Sequence, residues 1–263
     1  MTVGATARFR RGNGEVLLVD CDVTFGDVAI ALDVAPTATA ARVATRNAPF
    51  DRESFREQLI AHESGAFILP APARAGEQLR VQPDELEALV TFGACMFDYV
   101  IVDTPGTFNE AVAAGLSVAD HAIVATSFER SSVKNAALLL SVLREEDYPE
   151  DRVLVVANHT QPEPAMDAAE MAAILCVGAV WEVPYDSAVR RSTQAGKPVT
   201  MMQPKSPASA SLRALAGRIA TSPEKIDRRN GVRGPQSQRG GRSLQDRLHL
   251  AFSRARLPLA SGQ

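Results

Sequence analysis

The chain has 263 residues, 46% of them apolar and 22% charged, with 17 Gly and 16 Pro, which excludes collagen-like, prion-like and wholly disordered chains. Its net charge of −3 is unevenly spread: residues 222–263 carry nine Lys/Arg and three Asp/Glu, a net +6, which leaves −9 for the rest. No apolar run approaches the ~20 residues of a membrane span.

In chain order, residues 1–14 read as an irregular N-terminus, and Met1–Arg11 has no apolar core of a secretory signal. Short, almost wholly apolar runs predict strands at Glu15–Asp20, Ala66–Pro70, Tyr99–Asp103, Ala122–Thr126, Val153–Asn158 and Val177–Trp181. Continuous apolar strands are covered on both faces, as in a parallel sheet. Helical spacing runs through Pro83–Cys95 on Leu86, Leu89, Val90 and Gly93. Further stripes are Val133, Ala137, Leu140 and Leu143; Met166, Met171, Ala172 and Leu175; and Leu212, Leu215, Ala216 and Ile219. Strand–helix alternation predicts an α/β fold over residues 15–220: a doubly wound, mostly parallel sheet with helices on both faces. No Asn-Gly or Asp-Gly turn interrupts this stretch, which weighs against an antiparallel α+β fold.

Beyond Ile219 the pattern stops. Residues 221–242 read as a basic, Gly- and Arg-rich linker. Ser243–Arg256 reads as a short amphipathic basic helix, with Leu244, Leu248, Ala251, Phe252 and Ala255 on one face, and residues 257–263 as a tail. Such a tail lies peripherally on the inner face of the cell membrane, docks in a partner's groove, or stays solvated without a partner. Cys21, Cys95 and Cys176 are odd in number and scattered in apolar contexts, which fits a reducing cytoplasm.

Two strands end in acid: Val16–Asp20, followed by Cys21-Asp22, and Tyr99–Asp103, followed by Thr104-Pro105-Gly106. Ligands gather at the carboxyl ends of parallel strands. An aspartate delivered there suits magnesium, which takes hard oxygen ligands and keeps several waters. The alternative is an aspartate that caps the next turn or helix.

The segment VLLVDCDVTFGDVAIALDV from Val16 to Val34 resembles the second motif of the ParA/MinD superfamily of deviant-Walker P-loop ATPases, and FDYVIVDTPG resembles its Walker B segment. Phe25-Gly26-Asp27, Leu69-Pro70-Ala71-Pro72 and the stretch from Ser127 to Ala136 resemble the CpaE/TadZ branch, which localises and helps assemble Flp/Tad pilus machinery. Val155–Asn158, Val183–Asp186 and Gly196–Val199 continue the likeness, which covers about residues 15–220. The resemblance implies ATP and Mg2+ as cofactors, a homodimer, and pilus or secretion assembly proteins as partners. It implies that Asp22 orients or deprotonates the attacking water, that Asp20 and Asp103 serve the magnesium, and that Asn158, Pro184, Tyr185 and Asp186 meet the base or ribose. Asn158 also reads as a turn residue satisfied by its own backbone.

The family's phosphate loop, a Gly-rich turn with lysine and Thr or Ser opening a helix, has no counterpart. Gly196-Lys197 is followed by Pro198, and Thr2–Thr6 offers at most a stub. In the family, the strand before that loop lies between the strands ending here at Asp103 and Thr126. The expectation is therefore a fold without its first strand and phosphate loop, and weak or absent ATPase activity. The functional readings are an ATP-dependent positioning or assembly protein of the CpaE/TadZ type, a nucleotide-free localisation scaffold on the same fold, and a MinD-like septum-site or partitioning protein. The acidic body weighs against nucleic acid as a partner.

Overall fold

A computed structural model describes residues 5–9, 14–22, 24–36, 38–40, 43, 51–72 and 82–220. The basic linker, the helix expected at Ser243–Arg256 and the residues after it lie outside the described residues.

Eight strands form one sheet: β1 (Ala5–Phe9), β2 (Val16–Asp20), β3 (Ile60–Ala61), β4 (Phe67–Leu69), β5 (Tyr99–Asp103), β6 (His121–Ser127), β7 (Val153–Asn158) and β8 (Trp181–Val183). Their order across the sheet is β3-β4-β2-β5-β1-β6-β7-β8. β4, β2 and β5 run parallel to one another, as do β6, β7 and β8. The described helices are α1 (Val28–Ala31), α2 (Arg52–Arg56), α3 (Pro83–Met96), α4 (Glu110–Val118), α5 (Arg130–Glu145), α6 (Ala168–Leu175), α7 (Ser187–Gln194), α8 (Val199–Met202) and α9 (Pro207–Ala220).

Helices cover both faces, as the apolar strands require. On one face Leu17, Val19, Val100 and Val102 pack with Leu86, Leu89 and Val90 of α3. Alongside, Ala122, Val124 and Val155 pack with Val133, Ala136, Leu140 and Leu143 of α5. α4 joins the two clusters, giving Ala114 to the first and Val112, Ala113 and Leu116 to the second. On the opposite face Val156 and Val183 meet Ala208 and Leu215 of α9. Each such side chain taken fully from water contributes roughly 1.5–3 kcal/mol.

The sheet departs from expectation at three places. The first is the N-terminus. Residues 5–9, read as irregular, form β1, which fills the position between β5 and β6 that was expected to be empty. It runs antiparallel to both, with Thr6 opposite Val102 and Phe9 opposite Tyr99 on one side, and Ala5 opposite Ile123 on the other. An empty position would leave two rows of peptide groups unpaired inside the sheet, at about 1–3 kcal/mol each. The second departure is β8. It begins where the expected strand Val177–Trp181 ends, because α6 closes in a left-handed residue at Cys176. Val177 and Val180 are apolar because they pack against the α5–α6 cluster. The third is a two-residue antiparallel pairing of β3 with β4 at the sheet edge, turned through His62–Ala66 with Gly65 at φ 86°.

β1 ends at the amino edge of the sheet, where Asp98 holds the entry to β2. Its Oδ2 accepts the N–H groups of Gly14 at 3.1 Å and Glu15 at 3.0 Å, while the Glu15 carbonyl accepts from the N–H groups of Asp98 and Tyr99. Asp98→Ala is expected to cost about 2 kcal/mol in urea unfolding, roughly 1 for each lost bond. A cost below about 0.5 kcal/mol, the range of an unremarkable surface change, would show that the entry to β2 is held elsewhere.

Candidate functional site

β2 and β5 are parallel neighbours in a register that sets Asp20 opposite Asp103 at the carboxyl edge. The ladder runs one step further, with the Cys21 N–H donating to the Asp103 carbonyl at 2.8 Å. Two carboxylates thus end adjacent strands in a shared setting.

Asp20 is wholly buried. Its Oδ1 accepts the Asp22 N–H at 3.1 Å and its Oδ2 accepts the Val28 N–H at 3.2 Å. Val28 is the first residue of α1, and Asp27 at the N-cap makes no side-chain capping bond. Asp20, from the neighbouring strand, supplies the acceptor that the start of this helix lacks. Gly26 seals the arrangement: a Cβ there would overlap both Asp20 oxygens and the Ala71 methyl. The Phe25-Gly26-Asp27 triplet and the Leu69–Pro72 turn therefore meet over Asp20.

Asp22 is half-buried and shapes the loop, its Oδ1 accepting the N–H groups of Phe25 at 3.0 Å and Thr24 at 3.3 Å. Burial, then the neighbouring Asp103 charge, push the Asp20 carboxyl up to about 7, against the lowering effect of its two N–H donors. Burial, then Asp22, push Asp103 up to about 6. Burial also pushes the Cys21 thiol up. Asp27, which adds to the charge at Asp103, escaped the sequence reading, although it stands in the quoted motif.

Carboxylate oxygens are the donors a hard divalent cation takes, but among the described residues no three or more His, Cys, Asp or Glu side chains gather as a metal site. Asp20 has both oxygens engaged and enclosed, whereas Asp103 and Asp22 are half-buried. A phosphate group is less well served. The charged side chains that raise Asp20 and Asp103 are carboxylates, opposed at Asp103 by the N-terminal ammonium, and β1 runs antiparallel and ends at the amino edge, away from this cluster.

The other predicted residues lie further along the same edge. Asn158 ends β7, exposed, in register with Ser127 and Val183. It stands three strands across from Asp103 and four residues further along the strand direction, roughly 20 Å away at ordinary strand spacing and rise. Pro184, Tyr185 and Asp186 follow β8 directly, and Tyr185 is exposed. Asp186 caps α7, accepting from the Ala188 N–H at 2.8 Å and the Ala208 N–H at 3.4 Å. Hydrogen bonding from Ser206 and Ala188 holds its carboxyl below the usual range. Among the described residues, no helix is long and apolar enough to cross a membrane.

Solved structures share this architecture. A ParA family ATPase from Chlorobium tepidum superposes with a TM-score of 0.73 at 21% identity, covering 80% of this chain and 87% of that one. The chain has the ParA/MinD fold. The septum site-determining protein MinD of Pyrococcus horikoshii, complexed with Mg-ADP, superposes at 0.67 with 18% identity over 79% and 84%. In sequence, the chain is 32% identical to MinD of Bacillus subtilis over 157 residues. That match spans 58% of each protein, less than two thirds of the relative's length. It is 24% identical to the antiactivator FleN of Pseudomonas aeruginosa over 79% of this chain and 76% of that protein. No protein-family model matches the chain.

A carboxyl raised from 3.8 to about 7 keeps its proton in the fold where the unfolded chain has released it. Asp20 and Asp103 therefore favour the fold on the acid side, and that contribution is lost as pH rises through about 4 to 7. Asp103→Asn removes one charge of the pair. In thermal unfolding it is expected to melt higher than the parent at pH about 8, with the gap closing at pH about 5. A parent more stable than the variant at the higher pH would contradict the account.

Proposed function

We propose that the chain is a CpaE/TadZ-like protein of the ParA/MinD superfamily that acts in positioning and assembling pilus-secretion machinery. It is derived from an ATPase, and residues 1–263 hold nucleotide weakly. The packing of Gly26 against Asp20 and Ala71 carries this reading. It makes one unit of two segments through which the sequence resembles that branch, beside the acidic pair at the ends of β2 and β5. The direction of β1 and the carboxylate surroundings of Asp103 support weak nucleotide binding.

Within this reading Asp103 and Asp22 hold Mg2+ through water, and Asp20 positions the loop that carries Asp22. Asp22 orients a water through Oδ2, which has no partner among the described residues. Asn158, Pro184 and Tyr185 border the base or ribose, and Asp186 fixes α7 behind them. A bound magnesium–ATP would supply the phosphoanhydride bond for hydrolysis. Phe25 and Ile30, 82% and 76% exposed beside Asp22, offer an apolar surface to a second copy, so the working form is a homodimer. We place it in the cytoplasm, with the basic tail as its contact to a membrane surface or partner.

The 32% identity to the Bacillus MinD favours a second reading, a MinD-like septum-site protein. Deletion of the gene separates the two: loss of pili with normal septa supports the first, and misplaced septa with normal pili supports the second. For nucleotide, calorimetry on the 263-residue chain with Mg2+ is expected to give millimolar-range or absent ATP binding. Tight, magnesium-dependent binding would contradict the ATPase-derived reading.

A further inference from the structure

Four helices end alike. After α1, α5, α6 and α7 the chain passes through a residue at positive φ: 48° at Asp33, 55° at Asp147, 53° at Cys176 and 64° at Gly196. The next N–H then reaches back five residues. Val34 donates to the Ala29 carbonyl at 3.0 Å, Tyr148 to Leu143 at 2.8 Å, Val177 to Ala172 at 3.0 Å and Lys197 to Ser192 at 3.0 Å. Glycine is the common choice at such a cap, because a Cβ is disfavoured there.

Here three of the four are not glycine, so this cap does not by itself demand glycine at 196. Space demands it. A Cβ on Gly196 would stand 2.5 Å from the Asp33 Cβ, closer than real Cβ atoms come, and a tight 3.1 Å from the Asp33 nitrogen. By contrast Gly14, Gly65, Gly178 and Gly217 have nothing within 4 Å of that position. The cap of α7 is pressed onto the cap of α1. The next residue, Lys197, pairs with Glu63 of the β3–β4 turn at 3.1 Å. Both side chains are about half exposed, so that pair adds little energy.

α1 needs outside support. It is four residues long, with Val28 buried and Ile30 exposed, and a single turn has no stability of its own. Asp20 holds its start, and Gly196 meets its end. We propose that the Asp33–Gly196 contact is a latch that keeps the loop of residues 21–34 closed, which makes Gly196 a positioning residue for Asp22. The importance of that position rests on the functional reading above; the latch itself does not. A shift of the α7–α8 turn would be felt at Asp22.

Cys21 reports on the latch. It is buried at the start of this loop and packs in the cluster that holds Ala38, Ala40 and Val43. Cys95→Ala and Cys176→Gly in the full chain remove the two exposed thiols and leave Cys21 alone. The rate of its modification by iodoacetamide then measures loop opening, while amide exchange in β6 and β7 measures opening of the whole fold. Gly196→Ala and Gly196→Asn, the latter tolerant of positive φ, are expected to raise the Cys21 rate by at least about tenfold with β6–β7 exchange unchanged. Asp33→Gly, added to Gly196→Ala, removes the opposing Cβ and is expected to restore most of the protection. The latch is overturned by no rise, by an equal rise in β6–β7 exchange, or by no recovery with Asp33→Gly. No nucleotide enters the experiment, so its failure is distinct from failure of the functional reading.

Discussion

The carboxylate of Asp20 is the point around which the carboxyl edge is organised. It is taken wholly out of water beside Asp103, which an ionised group resists strongly. Two backbone N–H groups, from Asp22 and Val28, answer part of that cost. They also decide the local shape: one draws the chain back after β2, and the other fixes the first residue of α1. Gly26 is the consequence, since no side chain fits between Asp20 and Ala71. The remaining cost appears as the raised proton affinity of Asp20 and Asp103, which a divalent cation at Asp103 would relieve.

The amino edge poses a different problem with a similar answer. A five-residue strand, antiparallel among parallel neighbours, completes the centre of the sheet. The entry to β2 turns at Gly14, with φ 78°, and one oxygen of Asp98 gathers the N–H groups of Gly14 and Glu15 there. Both edges thus use an aspartate next to a strand end to satisfy backbone donors. At Asp98 the work is structural, whereas at Asp20 it brings a second carboxylate alongside and creates a charged site.

Much of this was legible in the sequence, and the failures have physical causes. β5 and β7 match their expected bounds, because an uninterrupted apolar run delimited by polar residues has few other uses. Asp20 and Asp103 were legible as strand-terminal acids for the same reason. β1 was not legible, since Ala-Thr-Ala-Arg-Phe has strand formers only at Thr6 and Phe9 and no continuous apolar run, and its pairing comes from the position it fills. β8 was misplaced because Val177 and Val180 are apolar for packing, while Glu182 interrupts the true strand. α7 escaped because its exposed arginines and polar residues bury only Ala188 and Ser192. The enclosure of Asp20, and the capping role of Asp186, depend on residues distant in sequence, such as Ala71 and Ala208. Spacing within one segment does not reveal such contacts.

The central claim is that Asp20, wholly buried, lies beside the half-buried Asp103, and that burial and neighbouring carboxylates raise the proton affinity of both. Carboxyl carbon chemical shifts followed by NMR across a pH titration test it directly. The account predicts that Asp20 titrates near 7 and Asp103 near 6, and that Asp103→Asn lowers the Asp20 midpoint. Both groups titrating near the ordinary aspartate value of 3.8, with no response of Asp20 to the substitution, would contradict it.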